Sequence, residues 1–288
     1  MKIDSDTSLF CLIGNPVSKS LSPLIHNISF EWNKINSTYL TFNVEDLEKS
    51  IDGIKALGIK GFNVTIPYKE KIMIYLDEID KLAKDIGAVN TVKNIDGKLV
   101  GYNTDGLGFI KSLEERNINL NNKNVLILGA GGASRAIAMT LANEGIHKLH
   151  ITNRTIKRAK NLVSDINNTY ENLDVKFIEK NNIVDCYDIV INTTSIGMFP
   201  NIIDMPIDPS IFDDDTIIYD IIYKPRPTKF LKESKKQNKI TIDGLDMLIH
   251  QALLSENIWL SENLDYFLMK NNIKKRIMKN NIEINTNK

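Results

Sequence analysis

The sequence predicts an α/β protein of two domains, each built on a mainly parallel sheet. Three observations predict it. Apolar runs of strand length alternate with segments of helical period along the chain. That rhythm breaks once, near "NIDGKLV", and then resumes. A chain of 288 residues is also too long for one simple core.

In the first rhythm "SLFCLIG", "TYLTFNV" and "GFNVTI" read as strands, and "SPLIHNISFEWNKI" and "VEDLEKSIDGIKALG" as the amphipathic helices between them. The run Phe62 to Ile66 carries Asn63 and Thr65, stops at Pro67 and delivers Lys69 just beyond. Ligands of open α/β sheets bind outside the carboxyl ends of strands, which makes Lys69 a candidate for chemistry. Taken alone, it reads rather as a solvated loop lysine, since most lysines are surface residues. In "GNPVSKSLSPLIHN" Ser22 suits a helix N-cap and Pro23 the first helical position. Ser20 is left over, and two hydroxyls near a helix N-terminus make a neutral cradle for a carboxylate.

"NTVKNIDGKLVGYNTD" predicts a hairpin turning at Asp96-Gly97, and "GLGFIKSLEERNINLNNK" a helix and polar linker. The second rhythm opens with "NVLILG" as a buried strand, "ASRAIAMTLANEG" as a helix and "KLHITNR" as the next strand. "VKFIE", "YDIVINTT", "TIIYDIIY" and "KITIDG" extend this sheet. Beyond Gly244 come two helices, around "LDMLIHQALLSENIWL" and "LDYFLMKNNIKKRIMK", whose packing side periodicity leaves open, and "NNIEINTNK" reads as a frayed tail.

Lys+Arg and Asp+Glu both number 36, so nothing in the totals points to a polyanion, and a nucleic-acid partner is set aside. Cys11 and Cys186 lie in apolar runs and read as buried thiols of a reducing compartment; no metal-ligand spacing involves them, and no metal is expected. The N-terminus lacks a signal-peptide stretch, and no segment approaches the roughly 20 apolar residues that span a bilayer. No membrane partner and a cytoplasmic location are therefore expected. His26 and His250 fall on helices and read as packing or surface residues.

"NVLILGAGGASRA" sets Gly129, Gly131 and Gly132, with Ala133 and Ser134, between a strand and a helix. Glycines there let backbone N–H groups approach a pyrophosphate, whose charge the helix N-terminus favours. This is the pattern of a Rossmann-type, doubly wound nucleotide domain, with Ser134 where Gly or Ala is usual. The competing reading is a Gly-rich turn with only a packing role. After the second strand the chain reads "NRTIKRAK", with Asn153, Arg154, Thr155 and Arg158 and no acid. An acid there suits the ribose 2′-hydroxyl of NAD, whereas arginine suits a 2′-phosphate, so the expected cofactor is NADP(H).

The ordered set "GNPVSKSLSPLIHN", "NVTIPYK", "GAVNTV", "GYNTDG", "GAGGAS", "NRTIKRA" and "DGLDMLIHQA" resembles the shikimate dehydrogenase family from about Leu9 to Trp259. The resemblance implies reversible NADPH-dependent reduction of 3-dehydroshikimate to shikimate, with substrate in a cleft between the domains. It implies that Ser20 and Ser22 hold the substrate carboxylate, that Thr65, Asn90 and Gln251 bind ring hydroxyls, and that Tyr223 also reaches the substrate. Lys69 and Asp105 would flank the reacting oxygen. "TTSIGM", with Thr194 and Met198, and Met247 would lie on the nicotinamide side, and Gly244 would mark the chain's return to the first domain. The implied division is residues 1–105 plus 245–288 for substrate and 106–244 for NADP, in a monomer or homodimer.

The chemistry of Lys69 and Asp105 stands on its own. Reducing a ketone needs a proton at the developing alkoxide, so a cation or acid must sit within hydrogen-bond reach of that oxygen. Lys69 supplies charge and proton, and Asp105 orients it. Two rivals remain at this point: an NAD-preferring quinate/shikimate dehydrogenase, against which "NRTIKRA" argues, and a catalytically silent protein that binds NADP or a ring acid, which could dispense with Lys69 or Asp105.

Overall fold

The computed structural model describes residues 3–183, 186–261 and 266–286. The chain forms two compact units, residues 1–104 with 249–288, and residues 105–248. Each is α/β, as the alternation of runs predicts.

The first unit holds β1 (Ser8–Gly14), α1 (Ser22–Trp32), β2 (Ser37–Asn43), α2 (Leu47–Ala56), β3 (Gly61–Val64), β4 (Glu78–Ile79), α3 (Lys81–Ile86), β5 (Thr91–Ile95) and β6 (Lys98–Tyr102). Its six strands run in the order β2-β1-β3-β5-β6-β4. β1 is parallel to both β2 and β3, and the β5–β6 hairpin supplies the antiparallel part through the expected Asp96-Gly97 turn. Side chains alternate across β1: Phe10 and Leu12 pack with Phe30, Tyr39 and Trp259, while Cys11 and Ile13 pack with Val44, Leu47 and Ile51. α2 begins where Asp46 accepts the Lys49 N–H, and α3 where Asp80 accepts the Leu82 N–H.

The second unit holds α4 (Asp105–Glu114), β7 (Asn124–Leu128), α5 (Gly132–Ala142), β8 (Lys148–Thr152), α6 (Ile156–Thr169), β9 (Asp174–Phe177), β10 (Ile189–Asn192), β11 (Ile217–Asp220), α7 (Lys229–Lys236) and β12 (Thr241–Asp243). Its six strands are all parallel, in the order β12-β11-β10-β7-β8-β9. Relative to its own first strand, β7, that is the doubly wound dinucleotide-binding order, with the switch point between β7 and β10. Val125, Leu126, Ile127, Val190 and Ile191 are all fully buried, because helices cover both faces of such a sheet.

α8 (Leu245–Leu260) and α9 (Tyr266–Thr286) follow. From Ile249 onward the chain belongs to the first unit. Trp259 stacks on Phe10 at 4.9 Å between ring centroids, and its Nε1 donates to the Val92 carbonyl at 2.9 Å. Burying such a ring stabilises the unit by roughly 3 kcal/mol. On α9, Met269, Ile273 and Ile277 recur at four-residue spacing and are buried.

Two expectations change. The tail read as frayed is helical through Thr286, continuing α9; residues 287 and 288 lie outside the described residues. Cys11 is buried as expected, and burial pushes its thiol up to about 12, but Cys186 is exposed. The apolar run around Cys186 enters β10 only at Ile189, and Tyr187 takes the buried place in the preceding loop.

Candidate active site

The strand that ends before Lys69 is shorter than the apolar run suggests. β3 stops at Val64, the Thr65 N–H donates to the Ile13 carbonyl at 3.0 Å, and the Tyr68 N–H closes a turn on the Thr65 carbonyl at 2.9 Å. Tyr68 is the anchor: its ring is buried and its hydroxyl donates to the Val44 carbonyl at 2.8 Å. The next residue, Lys69, is half-buried, and its carbonyl accepts the Val89 N–H at 2.8 Å. Thr65 and Lys69 therefore leave a turn tied down on both sides, beyond the carboxyl end of a buried strand.

Ser22 is not the cap of α1 but its first residue; Leu21 occupies the cap position and Pro23 follows inside the first turn. Ser20 does the satisfying instead. Its Oγ accepts the Ser22 N–H at 3.1 Å and donates to the Ser22 Oγ at 3.0 Å. The two hydroxyls sit together at the positive end of an eleven-residue helix, a place that favours an anion.

Asn90 lies at the head of β5 in a buried polar cluster. Its Oδ1 accepts the Thr104 N–H at 2.8 Å and the Thr91 Oγ1 at 2.9 Å. A backbone N–H can only donate, so the atom facing the Thr104 N–H is Oδ1, and Nδ2 donates to Thr104 Oγ1 at 2.9 Å and lies 3.4 Å from Gln251 Oε1. Gln251 of α8 thus turns its own Nε2 away from Asn90. The cluster continues through Ser255, whose Oγ is 2.8 Å from Thr91 Oγ1 and accepts from Asn63 Nδ2 at 3.1 Å, to Tyr39, which donates to Asn63 Oδ1 at 2.7 Å. Asn63, Thr91, Thr104 and Ser255 are absent from the sequence-based site. Only Asn63 signals itself there, as an amide between the buried Phe62 and Val64.

Next to this cluster, His26 is fully buried, with Nδ1 2.6 Å from Glu256 Oε1 and its ring stacked on Tyr39 at 4.1 Å between centroids. Ser29 donates to the other Glu256 oxygen. Burial drives the Glu256 carboxyl upward, against the His26 and Ser29 bonds that lower it. His26 is a packing residue as expected, with a buried carboxylate partner that the sequence did not reveal. His250 is buried too.

In the second unit β7 runs into Gly129 at φ +122°, a conformation that favours glycine, and a Cβ there would lie 2.4 Å from Thr193 Oγ1. Thr193 uses that closeness: its hydroxyl donates to the Leu128 carbonyl at 2.8 Å, tying the ends of β10 and β7. Gly131 caps α5, and a Cβ on Gly131 or Gly132 would meet nothing within 4 Å. Their bareness serves no internal packing, which fits a cradle whose filling comes from outside the chain. Ala133 follows half-exposed in the first turn, whereas the Ser134 hydroxyl is buried and donates to the Gly129 carbonyl at 2.7 Å. What Ser134 can offer a phosphate is its N–H.

At the end of β8, Asn153 Nδ2 donates to the Thr155 carbonyl at 2.9 Å and Thr155 is the N-cap of α6, with no side-chain cap bond. Arg154, Thr155 and Arg158 are all exposed, with no acid from 153 to 158. Two guanidinium groups stand where a dinucleotide's ribose falls in this strand order.

Beyond β10, the Thr194 N–H and Oγ1 both donate to Asn192 Oδ1, at 3.0 and 2.7 Å, and Met198 is exposed. Beyond β11, Tyr223 is half-buried and burial raises its phenol. Gly244 approaches the preceding crossover so closely that a Cβ would lie 1.9 Å from the Ile221 carbonyl oxygen, and Met247 is buried in the first turn of α8. Asp105 is buried at the first position of α4.

Comparison with known proteins adds a third line to geometry and sequence. The family model described as "Shikimate dehydrogenase substrate binding domain" matches residues 12–92, and that described as "Shikimate / quinate 5-dehydrogenase" matches residues 112–247. A shikimate dehydrogenase (NADP(+)) of Methanococcus vannielii is 47% identical over 279 residues, covering 94% of this chain and 98% of its own. That of Caldanaerobacter subterraneus subsp. tengcongensis is 46% identical over 271 residues, covering 92% and 96%. Among solved structures, a shikimate dehydrogenase in complex with NADP+ superposes with a TM-score of 0.90 at 43% identity, covering 96% of this chain and 98% of its own.

Proposed function

The chain belongs to the shikimate dehydrogenase family, and on that premise we propose how its residues divide the work. The protein is an NADP-dependent oxidoreductase that reversibly reduces 3-dehydroshikimate to shikimate, in aromatic amino-acid biosynthesis. NADPH, when bound, supplies the hydride.

Ser20 and Ser22 receive the substrate carboxylate at the N-terminus of α1, where partial positive charge and two hydroxyls favour an anion. Thr65, Asn90 and Gln251 bind the ring hydroxyls, and Tyr223 contributes from the second unit. Lys69 donates the proton to the carbonyl oxygen as charge develops there, and Asp105 serves the same oxygen and orients the ammonium. Gly131, Gly132, Ala133 and Ser134 offer N–H groups to the pyrophosphate, and Gly129, whose own N–H donates to the Thr152 carbonyl, makes the turn that lets the pyrophosphate approach. Arg154 and Arg158, with Asn153 and Thr155, take the 2′-phosphate, and Thr194, Met198, Gly244 and Met247 border the nicotinamide. The proposed domain division is residues 1–105 plus 245–288 for substrate and 106–244 for cofactor.

The observation that carries this reading is the orientation of Asn90. Its oxygen accepts from a backbone N–H and a hydroxyl while its Nδ2 faces Thr104 Oγ1 and Gln251 Oε1, so two side-chain amides are locked side by side in one orientation, the preorganisation that recognition of a polyol requires. We also propose a cytoplasmic protein, monomeric or homodimeric, with a small molecule as its partner; two cysteines without a disulfide fit a reducing compartment.

Initial rates of shikimate and quinate oxidation, each with NADP and with NAD, test the proposal. Turnover confined to shikimate with NADP is expected. Preference for NAD would overturn the role of Arg154, and preference for quinate that of the ring-hydroxyl set.

A further inference from the structure

Asp220 is the last residue of β11, has no solvent exposure, and takes no part in the chemistry proposed above. Three donors converge on it. Its Oδ1 accepts from Asn192 Nδ2 and from the Ile222 N–H, each at 3.1 Å, and its Oδ2 accepts the Thr228 hydroxyl at 2.7 Å.

Each donor leads to a different piece of the cofactor side. Asn192 ends the neighbouring strand β10, and its Oδ1 receives both the N–H and the hydroxyl of Thr194, while its Nδ2 also donates to the Ile196 carbonyl at 3.3 Å. Ile222 directly precedes Tyr223. Thr228 is the N-cap of α7, accepting the Leu231 N–H.

An ionised carboxylate can only accept. Facing Asp220, the Asn192 amide must therefore point its Nδ2 inward and its Oδ1 at Thr194. A flipped amide would set oxygen against carboxylate oxygen and leave the Thr194 donors facing an NH2 group. We infer that Asp220 is a positioning residue: through Asn192 and Ile222 it holds the 193–198 loop and the Tyr223 segment in one arrangement.

The carboxylate is costly where it stands, since burial pushes the Asp220 carboxyl up to about 6. Asp243 of the adjacent β12 raises it further, and Arg226 sits against Asp243 at 2.9 Å rather than against Asp220. A leucine would pack the site without that cost. What a leucine lacks is two acceptor oxygens aimed at three donors.

The inference rests on the proposal that residues 193–198 border the nicotinamide, so the test separates the two. Kinetic constants and melting temperature are measured for Asp220→Ala, Asp220→Asn and Met198→Ala. In Asp220→Ala we expect kcat to fall by about 10- to 100-fold, the scale of a misplaced reacting group. The KM for NADP should move by less than about threefold, because the phosphate contacts lie on β7 and β8. Asp220→Asn keeps an oxygen for Asn192 and Ile222 and a polar group for Thr228, and should restore most of the lost kcat. A folded Asp220→Ala enzyme with kcat within about twofold of wild type overturns the inference; so does Asp220→Asn as slow as Asp220→Ala. If Asp220→Ala does not fold, Thr228→Val is compared with Thr228→Ser: a slower valine variant and a restored serine variant are expected, and equal kcat values overturn the inference. Met198→Ala that leaves kcat unchanged while Asp220→Ala is slow would instead sink the placement of the loop at the nicotinamide.

Discussion

On the proposed reading, the two units prepare for their ligands in opposite ways. On the first, Asn90 and Gln251 belong to a buried lattice of amides and hydroxyls that runs from Thr104 through Thr91, Ser255 and Asn63 to Tyr39, backed by the His26–Glu256 pair. On the second, Gly131, Gly132, Arg154, Thr155 and Arg158 are exposed, and the cradle is made from backbone at helix starts. The difference teaches that one chain can preorganise the same event by two means. A small polyol demands side chains held to fractions of an ångström, which needs buried bonds; a pyrophosphate needs only N–H groups that strand–turn–helix geometry supplies.

Substitutions should therefore cost chemistry and stability in the first unit, and affinity alone on the nucleotide edge of the second. The largest effect is expected for Lys69→Met, which should lower kcat by about 10²- to 10⁴-fold with a much smaller change in KM for shikimate. Steady-state kinetics check it, and a raised KM with intact kcat would remove Lys69 from the proton-transfer role. Next comes His26→Leu, which strands a buried carboxylate beside Ser29 alone and should cost about 3–5 kcal/mol near neutral pH. Burial already raises Glu256. Without His26 the folded state holds its proton to still higher pH, so the deficit in melting temperature should widen from pH 5 to pH 8; a gap independent of pH would contradict the pairing.

Asp220 is the exception that sharpens the contrast, a buried charge on the cofactor unit. Its folded-state value of about 6 lies above the ordinary 3.8, so the folded protein binds more protons between those values. Stability from this group is fully present below the lower value and is lost as pH rises through the higher one. Asp220→Asn lacks that loss, and should gain on the order of 2–3 kcal/mol relative to wild type between pH 4 and pH 7.5, read from denaturant melts. A difference that stays constant with pH would refute it. The smallest effect on the fold belongs to Arg154→Ala: KM for NADP should rise by about tenfold or more, with stability unchanged within about 0.5 kcal/mol. Loss of stability instead would erase the distinction between the two edges.

How far the sequence reaches follows the same division. The Asp96-Gly97 hairpin, the β7–glycine–α5 unit and the arginines after β8 are local: turn chemistry, strand burial and helix starts lie within a few residues of one another, and each was legible from periodicity and residue type. The family resemblance adds, by position, the proposed roles of Lys69, Asp105, Asn90 and Gln251. Ser22 shows the limit even at short range, since a serine before proline looks like a cap whether or not Ser20 already satisfies its N–H.

The amino-acid sequence by itself determined the fold class, the two rhythms, the strand–glycine–helix unit of β7 and α5 and the absence of an acid beside Arg154. The tertiary structure alone decided that α8 from Ile249 onward and α9 complete the first unit, that Ser255 meets Asn63 across 192 residues, and that Glu256 meets His26 across 230. The reason is physical. Period and turn signals record how a residue relates to its neighbours in the chain, whereas a buried hydrogen bond between distant segments is chosen by packing and desolvation after the chain has closed on itself.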